Sequence, residues 1–163
     1  MTDAQRGILT VLVFAVVAVG LIFLGIRRRR TTWSTVCRFR ERDLTNDEEF
    51  LRACEIPDDP FKIAVALASR RAIAKLGDVP PETIRANDTF ARDLIDLPFW
   101  DSLDWMGFLL EVESECQLMT PRPKLRYGAI DSLNVRFSDL QVRHVVKAVA
   151  LSVTQAANEG ASS

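Results

Sequence analysis

Trp100-Asp101-Ser102-Leu103-Asp104-Trp105-Met106-Gly107-Phe108-Leu109-Leu110-Glu111-Val112-Glu113 is the stretch from which the rest of the chain is best read. It predicts a turn followed by a helix. Asp101 or Ser102 can serve as N-cap, because a short side-chain oxygen accepts from the unpaired N–H groups of a first helical turn. Asp104 falls in that first turn, where the helix dipole favours a carboxylate. Leu103, Met106 and Leu110 recur at i, i+3 and i+7, which predicts one apolar face with Asp104, Glu111 and Glu115 left in water. A serine at such a mouth is exposed and flanked by acid. That is poor for a nucleophile and good for a hydroxyl that another enzyme must reach and modify.

Helical signals continue on both sides. Upstream, Pro57-Asp58-Asp59-Pro60 marks a boundary, with Asp59 as N-cap and Pro60 at the first helical position. Phe61, Ala64, Val65, Ala68, Ala72, Ile73 and Leu76 then form a buried stripe, and Lys62, Arg70, Arg71 and Lys75 lie outside it. Gly77 stops this helix and Pro80-Pro81 prevents its resumption. Phe90 and Leu94 are core anchors in the loop after it. Downstream, Thr120-Pro121 is a break, 122–128 is basic and irregular, and Ser138-Asp139-Leu140-Gln141 has a capping-box pattern. Leu140, Val142, Val145, Val146, Val149 and Val153 give the last helix its apolar side. A shorter helix, opened by Thr45-Asn46-Asp47-Glu48 and carrying Phe50, Leu51, Cys54 and Ile56, is expected within a tether.

Asp101-Ser102-Leu103 before an acidic amphipathic helix, preceded by Lys75-Leu76-Gly77, Asn87-Asp88-Thr89-Phe90 and Asp93-Leu94, resembles the acyl carrier protein family over about residues 60–153. The resemblance implies an all-α fold, a small bundle of three to four helices. It also implies 4′-phosphopantetheine, transferred from coenzyme A by a phosphopantetheinyl transferase and esterified to Ser102, with Asp101 and Leu103 beside the attachment point. The arm's thiol would hold an acyl group for lipid, fatty-acid or polyketide-type enzymes, and the protein itself would be no enzyme. Asp104, Glu111 and Glu113 would be read by basic docking patches on those enzymes, and Met106 with Leu103, next to the prosthetic arm, would be their apolar contacts. The chain departs from the family in the inserted Ile95-Asp96-Leu97-Pro98-Phe99-Trp100, in Gly107 where another acid is usual, and in a longer 122–137 region.

Gly7–Ile26 is a run of 20 uncharged, mostly apolar residues, long enough to span a hydrocarbon core as a helix. Arg27 to Arg30 follow at once, so the charge lies on the wrong side for a signal peptide. The expectation is therefore one transmembrane helix preceding the bundle, with the C-terminal side in the cytoplasm and residues 7–30 in contact with membrane lipid. The expected divisions are an N-terminal tail 1–6, the span 7–26, a basic juxtamembrane tether 27–58, the helical domain 59–154 and a disordered tail 155–163. Residues 31–163 hold 16 Lys and Arg against 21 Asp and Glu, a net −5, which argues against nucleic acid as a partner. The excess is concentrated in 87–115, where eight acids face Arg92 alone.

Other chemistries fare worse. Asp131-Ser132-Leu133 repeats the tripeptide without an acidic helix after it, and Ser132 reads as turn chemistry. Ser102, His144 and one of Asp101, Asp104 or Asp139 can be written as a triad, yet no Gly-x-Ser-x-Gly elbow accompanies them. Cys37, Cys54 and Cys116 are scattered without ligand spacing, which indicates neither a metal site nor a disulfide framework. The alternative to a carrier is an unmodified docking module at the membrane that uses the acidic helix 103–115, with Ser102 as a cap.

Overall fold

The computed structural model describes residues 32–98, 105–116, 125, 127–130 and 132–159. The chain divides into two compact units, Met1–Ser34 and Thr35–Ser163. The helices of the second unit are α1 (35–40, the part of a longer helical stretch that falls in this unit), α2 (Asp47–Ala53), α3 (Pro60–Leu76), α4 (Trp105–Glu115) and α5 (Val142–Glu159). α3 is the central element and touches α2, α4 and α5. One antiparallel bridge joins Thr89 to Gln141, where Phe90 N–H donates to Leu140 O (3.0 Å) and Val142 N–H to Asp88 O (2.9 Å). That pairing sets the 84–90 turn against the entry to α5.

The all-α class is present; the transmembrane helix expected in front of it is not supported. Among the described residues no helix is long and apolar enough to cross a membrane, and the run 7–26 lies outside them. The single-pass membrane location built on that run is corrected accordingly. Residues 35–58 are not a tether either. Val36, Phe39, Phe50 and Cys54 are buried in the same core as α3, so the compact unit starts well before Asp59. At the other end the α5 backbone stays helical through Glu159, into the stretch expected to be a disordered tail.

Asp59 caps α3 as its sequence predicts, accepting from Phe61 N–H (2.9 Å) and Lys62 N–H, with Pro60 in the first turn. For α2 the cap shifts by one residue. Asn46, not Thr45, accepts from Glu49 N–H at 2.7 Å. Gly77 ends α3 with ordinary negative φ, and the left-handed residue is Asp78 (φ 52°). Val79 N–H returns to Ala74 O and Asp78 N–H to Lys75 O, a Schellman closure with aspartate where glycine is usual. Gly77 also packs closely on Leu97: a Cβ there would lie 2.9 Å from Leu97 Cδ1, and that terminal methyl would have to shift. α2 closes in the same manner on Glu55 (φ 54°).

The largest departure from the sequence reading lies inside α3. Arg70, expected on the outer face, is 1% exposed. Its Nη1 donates to Asp47 Oδ1 (2.8 Å), its Nη2 to Thr45 O (2.8 Å), Ile84 O (3.0 Å) and Glu82 O (3.2 Å), and its Nε to Ile84 O (3.2 Å). The guanidinium also lies over the Phe50 ring, 4.4 Å from its centroid. Burial pulls its pKa below the ordinary arginine value, with Asp47 opposing. Five donations and a ring face compensate the buried charge. The apolar residues of the stripe keep the helix buried: Val65, Ala68, Ala72 and Ile73 are fully inaccessible, and each large side chain so buried is worth about 1.5–3 kcal/mol.

Removing this guanidinium leaves the buried Ile84 carbonyl and the part-buried Thr45 and Glu82 carbonyls without their donor. Arg70→Met should lower stability by about 3–5 kcal/mol in urea unfolding. Asp47→Asn, altering a carboxylate that is 62% exposed, should cost about 1 kcal/mol or less. Similar losses for both variants would show that the ion pair, and not the carbonyl clasp, holds the site.

Candidate functional site

α4 is the described part of the stretch to which the sequence assigns function, and its faces are not those the sequence predicts. Phe108, Leu109, Val112 and the adjoining Cys116 are buried, with Trp105 partly so. Trp105 stands edge-on to Phe90 (centroids 5.3 Å) and to Phe108 (6.1 Å), which ties the start of α4 to the turn Phe90–Leu94. Leu110, expected on the apolar inner face, is 52% exposed, and Met106, on the same predicted stripe but also expected as a partner contact, is 50% exposed. Six large apolar residues among 105–112 leave the helical phase ambiguous, and the aromatic pair decides it.

The acids move the opposite way. Glu111 accepts from Lys75 Nζ, and Glu115 Oε2 from Arg71 Nε at 3.0 Å. Arg71 and Lys75 lie one turn apart on α3, as do Glu111 and Glu115 on α4, so the two pairs form an antiparallel ladder. The hydrogen bond from Lys75 to Glu111 raises the lysine's pKa. Of the acids expected to guide partners, Glu111 is therefore engaged within the fold, and Glu113 stands half-buried on the side of Met106 and Leu110. Asp104 lies outside the described residues. So do Asp101, Ser102 and Leu103, and with them the expected attachment point for 4′-phosphopantetheine.

Other singled-out residues have local explanations. Ser132 Oγ donates to Ala129 O (2.7 Å), which is turn chemistry. Phe90 and Leu94 are fully buried, and Asp93 Oδ2 accepts from both Thr89 N–H (2.8 Å) and Thr89 Oγ (2.9 Å) to close their turn. The cap of α5 is not Ser138. Gln141 precedes the helix, and His144 Nδ1 reaches back to accept its N–H at 3.2 Å. That acceptor role occupies the nitrogen a triad histidine would turn toward its carboxylate. Burial, then Arg143 and Lys147, lower the His144 pKa. Burial also pushes the thiols of Cys54 up to about 12 and Cys116 to about 11, which makes both poor nucleophiles. Among the described residues no three His, Cys, Asp or Glu are grouped to hold a metal ion.

Comparison with known proteins gives no match to a protein-family model, a characterised protein or a solved structure. The resemblance to acyl carrier proteins is corrected by that result, and with it the role of a membrane-tethered acyl carrier. Three common residues before a helix, and scattered Phe and Asp-Leu positions, are features that many helical domains meet by local capping and packing. A small all-helical domain is what remains.

Two measurements test these assignments. A histidine whose folded pKa is lowered takes its proton first in the unfolded chain. The stability from His144 is thus complete above about pH 6.5 and lost as pH falls through its folded value. Between pH 7.5 and 5.5 the urea midpoint of His144→Asn, which keeps an acceptor but does not titrate, should fall less than that of the parent chain. Equal falls would remove His144 from the acid response. In thiol titration of the native protein at pH 8, Cys54 and Cys116 should react only after denaturant is added; rapid labelling of either would contradict its burial.

Proposed function

We propose that the domain is a non-catalytic binding module that receives a partner protein on the outward face of α4. The observation supporting this reading is the pair Met106 and Leu110, one helical turn apart and each half exposed, on a helix whose opposite face already completes the core. Apolar residues at i and i+4 are the anchors with which helices meet grooves or other helices. Exposed single hydrophobic residues are ordinary, but two on one face beside Glu113 offer a patch with a defined axis and a polar border. Neither membrane attachment nor acidic steering belongs to this reading, because Glu111 and Glu115 are spent on α3.

The partner is a protein with a complementary apolar surface. Leu110→Lys and Met106→Lys should leave the helical circular dichroism intact and the melting temperature within a few degrees, since neither side chain fills the core. Each should abolish specific co-purification of the partner from the native host. Leu151→Lys, a substitution at a comparably exposed site on α5, should leave that partner in place. Retention of the same partners by both α4 variants, or no partner for the intact chain, would refute the reading.

A further inference from the structure

A row of charges fastens residues 35–56 to the rest of the domain. Among the described residues four ion pairs cross that boundary: Arg40 to Asp78, Arg42 to Asp88, Asp47 to Arg70 and Glu55 to Lys147. Between them Asp43 O accepts from Arg85 Nη2 (3.3 Å), and Thr45 N–H donates to Glu82 O (2.8 Å). The ties follow the arm from one end to the other. Its buried apolar side chains are fewer, namely Val36, Phe39, Phe50 and Cys54, and most of the core belongs to α3, α4, α5 and the turns between them. α1 and α2 are also shorter than the roughly 12–15 residues an isolated helix needs in water. Each keeps its shape only while docked, which couples them to one another.

Two features place a seam at this boundary. The left-handed residues Glu55 (φ 54°) and Asp78 (φ 52°) stand where glycine would be unstrained, and each spends its carboxylate on a cation across the boundary, Lys147 and Arg40. The second feature is Arg70. When the arm lifts, Asp47 and Thr45 leave the guanidinium, but water reaches it and Glu82 O and Ile84 O remain as acceptors. The charge is then solvated instead of stranded, so opening along this line avoids the penalty of unpairing a buried ion inside a closed fold.

We propose that residues 35–56 form a strap that opens as one unit while α3, α4 and α5 stay packed, and that ionic strength sets how often it opens. Opening uncovers the core surface beneath Phe39 and Phe50. Salt screens the exposed pairs Arg40–Asp78 and Glu55–Lys147. The Arg42–Asp88 pair, with side chains 18% and 7% exposed, is screened far less, so the closed state stays dominant.

Native-state amide hydrogen exchange on the full chain tests this. The amides of Phe50 and Cys54 on the strap should exchange through one shared opening, populated about tenfold or more above the opening that exchanges Ile73 in α3 and Val146 in α5. Raising NaCl from about 0.02 to about 0.5 M should speed Phe50 and Cys54 roughly threefold or more and leave Ile73 and Val146 within about twofold. Arg40→Gln and Lys147→Gln should each reproduce that selective change at low salt. Ion pairs that matter only to the whole fold would instead shift all four amides by one factor. Exchange of all four at one rate, a common shift in the variants, no response to salt, or separate openings for Phe50 and Cys54 would each overturn the proposal.

Discussion

The domain depends on one arginine that has given up water. Arg70 emerges from the middle of α3 and closes three chain segments upon itself: the entry to α2 through Thr45 and Asp47, the turn after α3 through Glu82, and the next stretch through Ile84. Taking a guanidinium out of water costs several kcal/mol, and only a near-complete set of acceptors offsets it. That requirement makes the site specific. The carbonyls must stand where the planar fork can reach them, so α2 and the 82–84 turn have one arrangement around α3. Thr45 N–H donating to Glu82 O (2.8 Å) then locks the two segments to each other beside the arginine. A hydrophobic residue of equal volume could fill the space; it could not align three carbonyls.

A second arginine repeats the device nearer the surface. Arg42 lies 3.8 Å over the Phe39 ring and donates to Asp88 Oδ1 (2.8 Å), while Asp88 Oδ2 accepts Arg85 N–H (2.8 Å). Since Asp88 O accepts from the first residue of α5, this node connects α1, the 84–90 turn and α5. Burial raises the Asp88 pKa, against the opposing pull of the Arg85 N–H and Arg42, which marks the carboxylate as carrying a desolvation cost. Irregular loops between helices are thus organised by cations placed on aromatic rings and turned toward oxygen. This is why 35–58 belongs to the core. Phe39 and Phe50 supply those rings, and both are fully buried.

Legibility in the sequence depends on how local each determinant is. Asp59-Pro60 and the valines of α5 are readable because capping and a 3.6-residue stripe involve only neighbours in sequence. Arg70 is not, because a charge among Ala and Arg reads as solvent-facing until its acceptors, 12 to 25 residues away, are known. The buried face of α4 is not legible either, because a helix apolar on nearly every side has no unique phase, and a phase anchored on Leu103 comes out wrong. Gly77 does end α3, but not for the reason its residue type suggests. Its own φ is negative and it packs closely on Leu97, while Asp78 adopts the left-handed turn. The candidate site is legible only in outline: the sequence locates α4, yet which of its residues face outward depends on partners from α3 and the 90–94 turn.

The same distinction governs the acidic stretch. Counting charges over 87–115 gives a strongly negative segment, which suggests a field reaching partners over a Debye length, about 10 Å at 0.1 M salt. Folding rearranges that count. Asp88 is met by Arg42, Glu111 by Lys75, Glu115 by Arg71, and Asp93 is turned onto Thr89. A carboxylate hydrogen-bonded to a cation presents a dipole to the solvent instead of a net charge, and a dipole's potential falls off faster with distance. The cations responsible lie up to 46 residues away in sequence, so no short window along the chain contains both halves of a pair. For the acids so paired, the charge counted along the sequence is not the charge the folded surface presents.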